Sequence, residues 1–214
     1  MVVTVPKTLD AASLVGFAER LEASEKHVVL VGGDEAFCLG LSLEGEPGDA
    51  VGPFVRAVRA LRTGPPSVAF VDGVARGAGV GLAAACDLVV ASARADFALT
   101  EAWFGLWPAA IHPLLVERMR PAAVRRGVIT GQSWDAQAAL ELGLVDERAE
   151  SLAAAEAFGV ASRRASGEAI RAYKAATAPL DEVAAGAKVT AERLRDPEVR
   201  RRIAAFAEGF APWA

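Results

Sequence analysis

Short apolar runs alternate with amphipathic helix patterns through the first two thirds of the chain, and this alternation limits the possible folds more than any other feature. The runs at residues 27–31, 67–71 and 88–91 are rich in β-branched side chains, as buried strands are. Apolar residues with helical spacing fall before and between them, over residues 10–23 and 49–62. Strand, crossover helix and strand at this spacing predict βαβ units in a mostly parallel α/β sheet or spiral.

The final third of the chain has a different pattern. Strand signals stop near Pro108, apart from residues 144–146, and alanine-rich helix patterns follow. Helices are predicted over residues 122–129, 134–142, 151–164, 167–177 and 182–210, the last with a break near Pro197. We therefore expect one domain, with an α/β core over residues 1–147 and a helical C-terminal region over residues 148–214.

Charge and composition exclude several classes of function. Lys and Arg total 23 against 27 for Asp and Glu, so the net charge is −4, which argues against a nucleic-acid-binding face. Two cysteines and two histidines, none in a metal-binding spacing, argue against a disulfide scaffold, a metal site and a histidine-centred triad. The chain shows neither a signal-peptide pattern nor an apolar run of membrane length, so we expect a cytoplasmic protein with no membrane partner.

An apolar loop follows the first predicted strand. Residues 36–43, with the sequence AFCLGLSL, come directly after a polar turn, where a solvated loop is expected. An apolar loop in this place indicates either backbone held against a ligand or a loop packed under the next helix. The residues alone leave both interpretations open.

A glycine cluster joins the second predicted strand to an apolar helix pattern. Gly77, Gly79 and Gly81 precede or open that helix, and free N–H groups at a helix N-terminus stabilise an anion or a developing oxyanion. Residues 79–84 also match the GxGxxA dinucleotide pattern, but the acid about 20 residues later, Glu101, lies in a predicted first helical turn instead of ending a strand. Close packing of helix on strand is the structural alternative.

Residues 97–108 hold one carboxylate, Glu101, among large aromatic side chains that include Trp103, Phe104 and Trp107. Such surroundings desolvate a carboxylate and raise its pKa, which suits general acid–base catalysis. Alternatively, Glu101 is an ordinary acid in the first turn of a helix, with the preceding threonine as the N-cap and the aromatic residues in the core.

Taken in order, these three segments resemble the crotonase (enoyl-CoA hydratase/isomerase) superfamily. The sequences CDLVVA at residues 86–91 and AALELGLVD at residues 138–146 add to the similarity, which extends from about residue 27 to residue 147. The resemblance implies a crotonase-like ββα spiral core with a helical C-terminal trimerisation region. Because the chain begins close to its first helix, we expect the N-terminal strands of the family to be shortened or absent.

The resemblance also implies an oxyanion hole for an acyl thioester. Its two donors would be the backbone N–H groups of Leu41 and Ala78, and each such donor contributes roughly 3 kcal/mol to stabilising a transition state. Three glycines would support the hole. These are Gly40, Gly77 and Gly79.

Hydratases of this family usually carry two carboxylates. The resemblance places the second at Glu101, whereas the first would fall at Gly81 and is missing. A single acid remains sufficient for dehydration or for double-bond isomerisation, with Glu101 acting as base and then as acid. The residues that the resemblance implies for the acyl pocket are Trp103, Phe104 and Trp107.

Residues 71–81, 97–110 and 170–174 resemble more closely the polyketide β-branching dehydratases of the hydroxymethylglutaryl-synthase cassette. This similarity implies dehydration of a 3-hydroxy-3-methylglutaryl group on an acyl carrier protein to a 3-methylglutaconyl thioester. Two alternatives stay open. One is an enoyl-CoA isomerase or hydratase acting on a CoA thioester, and the other is a non-catalytic crotonase-like subunit of a biosynthetic complex.

The same resemblance implies the partners. The substrate would be carried on the phosphopantetheine of an acyl carrier protein or on CoA, with no separate cofactor and no metal. The C-terminal helices would assemble a homotrimer or a dimer of trimers. Arg76, directly before Gly77, would either meet a substrate carboxylate or phosphate or lie on the surface, and the surface interpretation is favoured.

Overall fold

The strands of the computed structural model, which describes residues 1–162 and 164–213, form two sheets. In chain order the strands are β1 (Val2–Thr4), β2 (Val28–Val31), β3 (Ala36–Cys38), β4 (Ser67–Val71), β5 (Val74–Arg76), β6 (Leu88–Ala91), β7 (Asp96–Ala98), β8 (Trp134–Asp135) and β9 (Glu147–Arg148). One sheet has the order β1-β2-β4-β6-β9 and the other the order β3-β5-β7-β8. Within this part of the chain every pair is parallel except β7 with β8.

Ten α-helices occupy the rest of the described chain, together with two short 3-10 helices at Pro47–Ala50 and Glu101–Phe104. The α-helices are α1 (Ala11–Glu22), α2 (Val51–Thr63), α3 (Ala78–Ala85), α4 (His112–Arg118), α5 (Pro121–Thr130), α6 (Ala136–Leu142), α7 (Leu152–Ser162), α8 (Gly167–Thr177), α9 (Leu180–Arg193) and α10 (Pro197–Ala207).

From β2 to β7, successive strands alternate between the two sheets. β2, β4 and β6 enter the larger sheet, and the short strand that follows each of them, β3, β5 or β7, enters the smaller one. Helices α2 and α3 then lead from one such pair of strands to the next. The chain therefore makes repeated ββα turns, and the predicted α/β spiral is confirmed. β1 is a three-residue strand at the edge of the larger sheet.

Some predicted boundaries are wrong. Residues 144–146 are predicted as a strand, but the strand of this segment that pairs with β6 is β9, at residues 147–148. At the preceding position the Asp146 carboxylate accepts the hydrogen bond of the Val89 N–H, at 2.7 Å. The helix predicted over residues 134–142 begins at residue 136, since the two residues before it pair with β7. Of the helix predicted over residues 151–164, residue 163 lies outside the described residues, as does residue 214 of the C-terminal region.

Helix α3 is buried from its second residue to its end. It packs against α2, α4 and strands β3 to β5, so it has no solvent-facing side. Its sequence, AGVGLAAA, is apolar in every direction, as a fully enclosed helix requires. The N-terminus of this enclosed helix is the part of the fold that reaches the candidate site.

A buried ion pair fastens α8 to the larger sheet. The Lys174 ammonium, 4% exposed, donates to the Asp87 carboxylate at 2.6 Å and to the Pro65 carbonyl at 2.9 Å. The same carboxylate oxygen accepts from the Ser67 N–H at 2.7 Å and from its hydroxyl at 3.0 Å. Burial lowers the pKa of Lys174, and the attraction of Asp87 opposes that shift.

Lys174→Met is expected to lower the free energy of unfolding by about 3 kcal/mol, because removing one partner of a buried pair leaves the other charge uncompensated. Urea denaturation followed by circular dichroism measures this loss. Lys188→Met, at an exposed position of α9, is the matched control and should change the stability by less than about 0.5 kcal/mol. Equal stabilities for the two variants would contradict a stabilising role of the pair.

Candidate active site

Two loops approach each other backbone to backbone at the N-terminus of α3. Gly40 has φ +90°, which favours glycine, and a Cβ placed on it would lie 2.9 Å from the Arg76 carbonyl oxygen and 3.5 Å from the Ala78 nitrogen. At Gly79 a Cβ would lie 2.4 Å from the Cys38 carbonyl oxygen, so no larger residue fits there without a shift of backbone. The predicted supporting glycines therefore bring Leu41 and Ala78 to one place.

The N–H groups of Leu41 and Ala78 are both available to a ligand. Leu9 bonds to the residues on either side of Leu41, donating to the Gly40 carbonyl at 2.9 Å and accepting from the Ser42 N–H at 3.0 Å. Successive backbone groups of an extended segment point to opposite sides, so the Leu41 N–H points away from Leu9. Ala78 is the first residue of α3, where an N–H has no acceptor within the helix. Over residues 1–162 and 164–213, neither N–H donates a hydrogen bond to the protein.

The Glu101 carboxylate lies against the same helix N-terminus. A Cβ on Gly77, directly before Ala78, would be 3.0 Å from Glu101 Oε1 and 3.4 Å from its Cδ. Oε2 is buried and has no hydrogen-bond partner among the described residues. Although the residue as a whole keeps some exposed surface, its carboxylate is enclosed, and burial raises the pKa of Glu101 to about 7.

This geometry favours one of the two interpretations of Glu101. The acid opens a short 3-10 helix, and the residue before it makes no side-chain cap to that helix. An acid that only complemented a helix N-terminus would keep its carboxylate in water and its pKa low. A buried carboxyl group with a pKa near 7 is instead suited to exchange protons with a substrate.

An apolar cavity of about 110 Å³ connects these groups. Its lining includes Leu41, Ala78 and Glu101, and the predicted pocket residues Phe104 and Trp107. Trp107 is 46% exposed, so it stands at the rim. The structure thus brings both backbone donors, the acid and two of the three aromatic residues to one cavity.

Trp103 does not line this cavity, so its predicted place in the acyl pocket is wrong. Its indole packs against the backbone of Gly131 and edge-to-face on Trp213, with ring centroids 5.3 Å apart. The cause is the 3-10 helix, in which residues three apart share a face. Glu101 and Phe104 therefore point the same way, while Trp103 points about a third of a turn aside.

The C-terminal region contributes a wall that sequence patterns did not indicate. Thr190 and Leu194 line the cavity from α9 and from the residue that follows it. The Thr190 hydroxyl donates to the Gly186 carbonyl within the helix at 3.1 Å. These residues lie about 90 positions after Glu101, and no local signal marks them.

Arg76 is held by an acid on the neighbouring strand of the smaller sheet. Its guanidinium bonds to the Asp96 carboxylate and carbonyl and to the carbonyl of Ala75. Arg76 is not among the residues of the cavity lining. Arg76 is therefore half-buried with a partner within the protein, outside the cavity.

Two further expectations concern the described residues as a whole. Across residues 1–162 and 164–213, no three His, Cys, Asp or Glu side chains are grouped as metal ligands would be. No helix in these same segments is both long enough and apolar enough to span a bilayer.

A ββα spiral with two free backbone N–H groups and one buried carboxyl group at the same cavity is the arrangement that the sequence resemblance implies for an acyl-thioester enzyme. Comparison with known families agrees, since the enoyl-CoA hydratase/isomerase family matches residues 17–196. The chain belongs to this family. The prediction of an enzyme of the hydratase and dehydratase type is thereby confirmed.

Individual relatives support the assignment. Over 203 residues the chain is 29% identical to the bacillaene synthase dehydratase PksH of Bacillus subtilis, covering 87% of this chain and 78% of that protein. The crystal structure of Bacillus subtilis PksH superposes with a TM-score of 0.83 at 25% identity, covering 97% of this chain and 92% of that one. An enoyl-CoA hydratase structure from Mycobacterium avium gives a TM-score of 0.82 at 29% identity, covering 100% and 93%. The predicted crotonase-like fold is therefore confirmed.

Proposed function

We propose that this protein dehydrates a β-hydroxyacyl thioester, with Leu41 and Ala78 as the oxyanion hole and Glu101 as the single acid and base. One observation carries the proposal, namely the buried and unpartnered Oε2 of Glu101 beside two free N–H groups in the same apolar cavity. An unsatisfied carboxylate oxygen costs folding free energy, and a substrate proton next to it would use that oxygen.

The first step removes a proton from the α-carbon. Glu101 takes the proton, and the electron pair of the C–H bond moves into the thioester to form an enolate. The enolate oxygen accepts hydrogen bonds from the N–H groups of Leu41 and Ala78. Because these donors are fixed by the fold and face an apolar cavity, they stabilise the developing charge more than water would.

The second step expels the hydroxyl group. The enolate collapses to the α,β-double bond, the bond between the β-carbon and oxygen breaks, and Glu101 returns its proton to the leaving oxygen. Water is released and the carboxylate is regenerated. One acid serves both steps, so the proton and the hydroxyl group leave from the same face of the acyl chain.

For the acyl group we propose 3-hydroxy-3-methylglutaryl on an acyl carrier protein, which would give the 3-methylglutaconyl thioester in polyketide β-branching. The similarity to PksH over most of both chains supports this choice. The substrate would bring phosphopantetheine with it, so the proposed reaction needs no further cofactor and no metal.

Mass spectrometry of the loaded carrier protein tests the reaction. Incubation with the enzyme is expected to remove the mass of one water from the acyl group. An unchanged mass would contradict dehydration of this substrate. The CoA isomerase alternative predicts instead that a 3-enoyl-CoA is converted to a 2-enoyl-CoA of equal mass, which ultraviolet absorbance detects. A non-catalytic subunit would do neither.

The pH dependence of the reaction should report the ionisation of Glu101. Only the carboxylate form can accept the α-proton, so kcat/KM is expected to fall about tenfold per pH unit below pH 7 and to level off above it. With an exposed glutamate, whose ordinary pKa is near 4.5, kcat/KM would stay unchanged down to about pH 5. Initial rates between about pH 5 and pH 9 separate the two cases.

We also propose that the chain assembles as a homotrimer or a dimer of trimers. Large apolar side chains remain exposed near the C-terminus, including Phe206 at 50%, Phe210 at 62% and Trp213 at 63%. Burying this patch between copies of the chain would remove apolar surface from water. Light scattering after size-exclusion chromatography should give three or six times the 22.2 kDa mass of one chain, and a monomer would contradict the proposal.

A further inference from the structure

The space over Gly81 is filled by another side chain. Gly81 lies one turn into α3, where its N–H donates to the Gly77 carbonyl at 3.1 Å. A Cβ at this position would lie 2.3 Å from Ile111 Cγ2, 2.9 Å from Ile111 Cβ and 3.4 Å from the Phe54 ring. Gly81 is also the position at which the family resemblance expected a first acid. No side chain fits there while Ile111 keeps its place.

Ile111 and Phe54 form one apolar wall of the cavity. Both line it, with exposures of 3% and 2%. The wall covers Gly81, whereas the Glu101 carboxylate lies against Gly77, the residue directly before α3. Because the Gly81 N–H donates to the Gly77 carbonyl at 3.1 Å, the wall and the acid are near neighbours at the start of α3.

We infer that Ile111, together with Phe54, contacts an alkyl branch on the β-carbon of the substrate and so determines which β-hydroxyacyl groups the site accepts. The surface formed by these two side chains is called the seat below. This inference rests on the proposed function. With the thioester oxygen held by Leu41 and Ala78, the β-carbon is two bonds from the thioester carbon. Its substituents then lie beside the first turn of α3.

The wall and the acid differ in chemistry, and they therefore place the hydroxyl group and the alkyl branch of the β-carbon on different sides. A hydroxyl group placed against Ile111 and Phe54 would lose its hydrogen bonds to water and gain none. The same hydroxyl group facing Glu101 can receive the proton that it needs in order to leave. The alkyl branch consequently faces Ile111, which selects one configuration at the β-carbon.

Two substrates that differ by one methyl group test this seat. We would compare carrier-bound 3-hydroxy-3-methylglutaryl and 3-hydroxyglutaryl groups by kcat/KM. The wild type is expected to prefer the branched substrate by about tenfold or more. Ile111→Ala should reduce this ratio to within about twofold of one, mainly by slowing the branched substrate.

Ile111→Val keeps both γ-carbons next to Gly81 and should retain most of the preference, which also guards against a misfolded alanine variant. Ile129→Ala removes an isoleucine that is 72% exposed and is the matched control. Its ratio should equal that of the wild type.

Binding supplies a second readout that does not depend on turnover. Calorimetry with 3-methylglutaconyl- and glutaconyl-pantetheine should show the same preference and the same loss in Ile111→Ala. Equal binding of the two by the wild type, or equal losses for both in Ile111→Ala, would overturn the inference. If the wild type binds the branched thioester selectively but dehydrates neither substrate, the proposed function fails while the seat stands.

Discussion

Glu101→Gln is expected to lower kcat for dehydration by about 10⁴-fold while leaving the fold and KM nearly unchanged. The amide keeps the size and shape of the carboxylate but can neither accept the α-proton nor return it to the leaving hydroxyl group. General acid–base catalysis contributes about 10² to 10⁴-fold where one group acts in one step, and here one group acts in two. Single-turnover assays with the loaded carrier protein measure the loss.

Glu19→Gln is the matched control because Glu19 is an exposed glutamate of α1, away from the cavity and from the C-terminal patch. Its rate should equal that of the wild type. A Glu101→Gln enzyme that retains more than a tenth of the wild-type rate would show that another group moves the proton. Thermal denaturation of both variants establishes that any loss is chemical, since neither substitution changes packing volume.

Ala78→Pro should lower kcat by about 10² to 10³-fold, because it removes one of the two donors to the enolate oxygen. Most substitutions change a side chain and leave the backbone N–H in place. Ala78, however, is the first residue of α3, the position at which proline replaces an N–H that the helix does not use. The loss should appear in kcat/KM, since the proline Cδ replaces the hydrogen that faces the acyl oxygen and the charge on that oxygen is then less stabilised.

Ala11→Pro makes the same substitution at the first residue of α1, away from the cavity, and should retain full activity. Circular dichroism should give helical spectra for both proline variants. If Ala78→Pro folds and turns over within threefold of the wild-type rate, the Ala78 N–H is not a donor to the transition state.

The larger sheet could be predicted from sequence because its central strands are four or five residues long and strongly β-branched. The smaller sheet was missed. Its strands β3, β5 and β7 have three residues each, which is too few to show a period. These short strands are nevertheless the ones that carry the oxyanion loops and Glu101 to the site.

Only part of the candidate site could be predicted from sequence, for a similar reason. Glycines, the apolar loop and a lone acid among aromatic residues are local signals that marked three segments and Glu101. The family resemblance then assigned the backbone N–H groups of Leu41 and Ala78. Trp103 was misplaced because the sequence does not show that its turn is a 3-10 helix. Thr190 and Ile111 depend on contacts between distant segments, which a single sequence does not encode as a pattern.

Because α3 is enclosed, the two sides of the cavity should differ in how well they tolerate substitutions. One side is built on a helix with no surface of its own, so a substitution there disturbs the packing of α2, α4 and three strands at once. The other side is carried by α9, whose outward residues meet solvent and which packs against α2, α4 and the first 3-10 helix. Substitutions on α9 can therefore change which acyl groups the cavity accepts, while the backbone at the N-terminus of α3 stays in place.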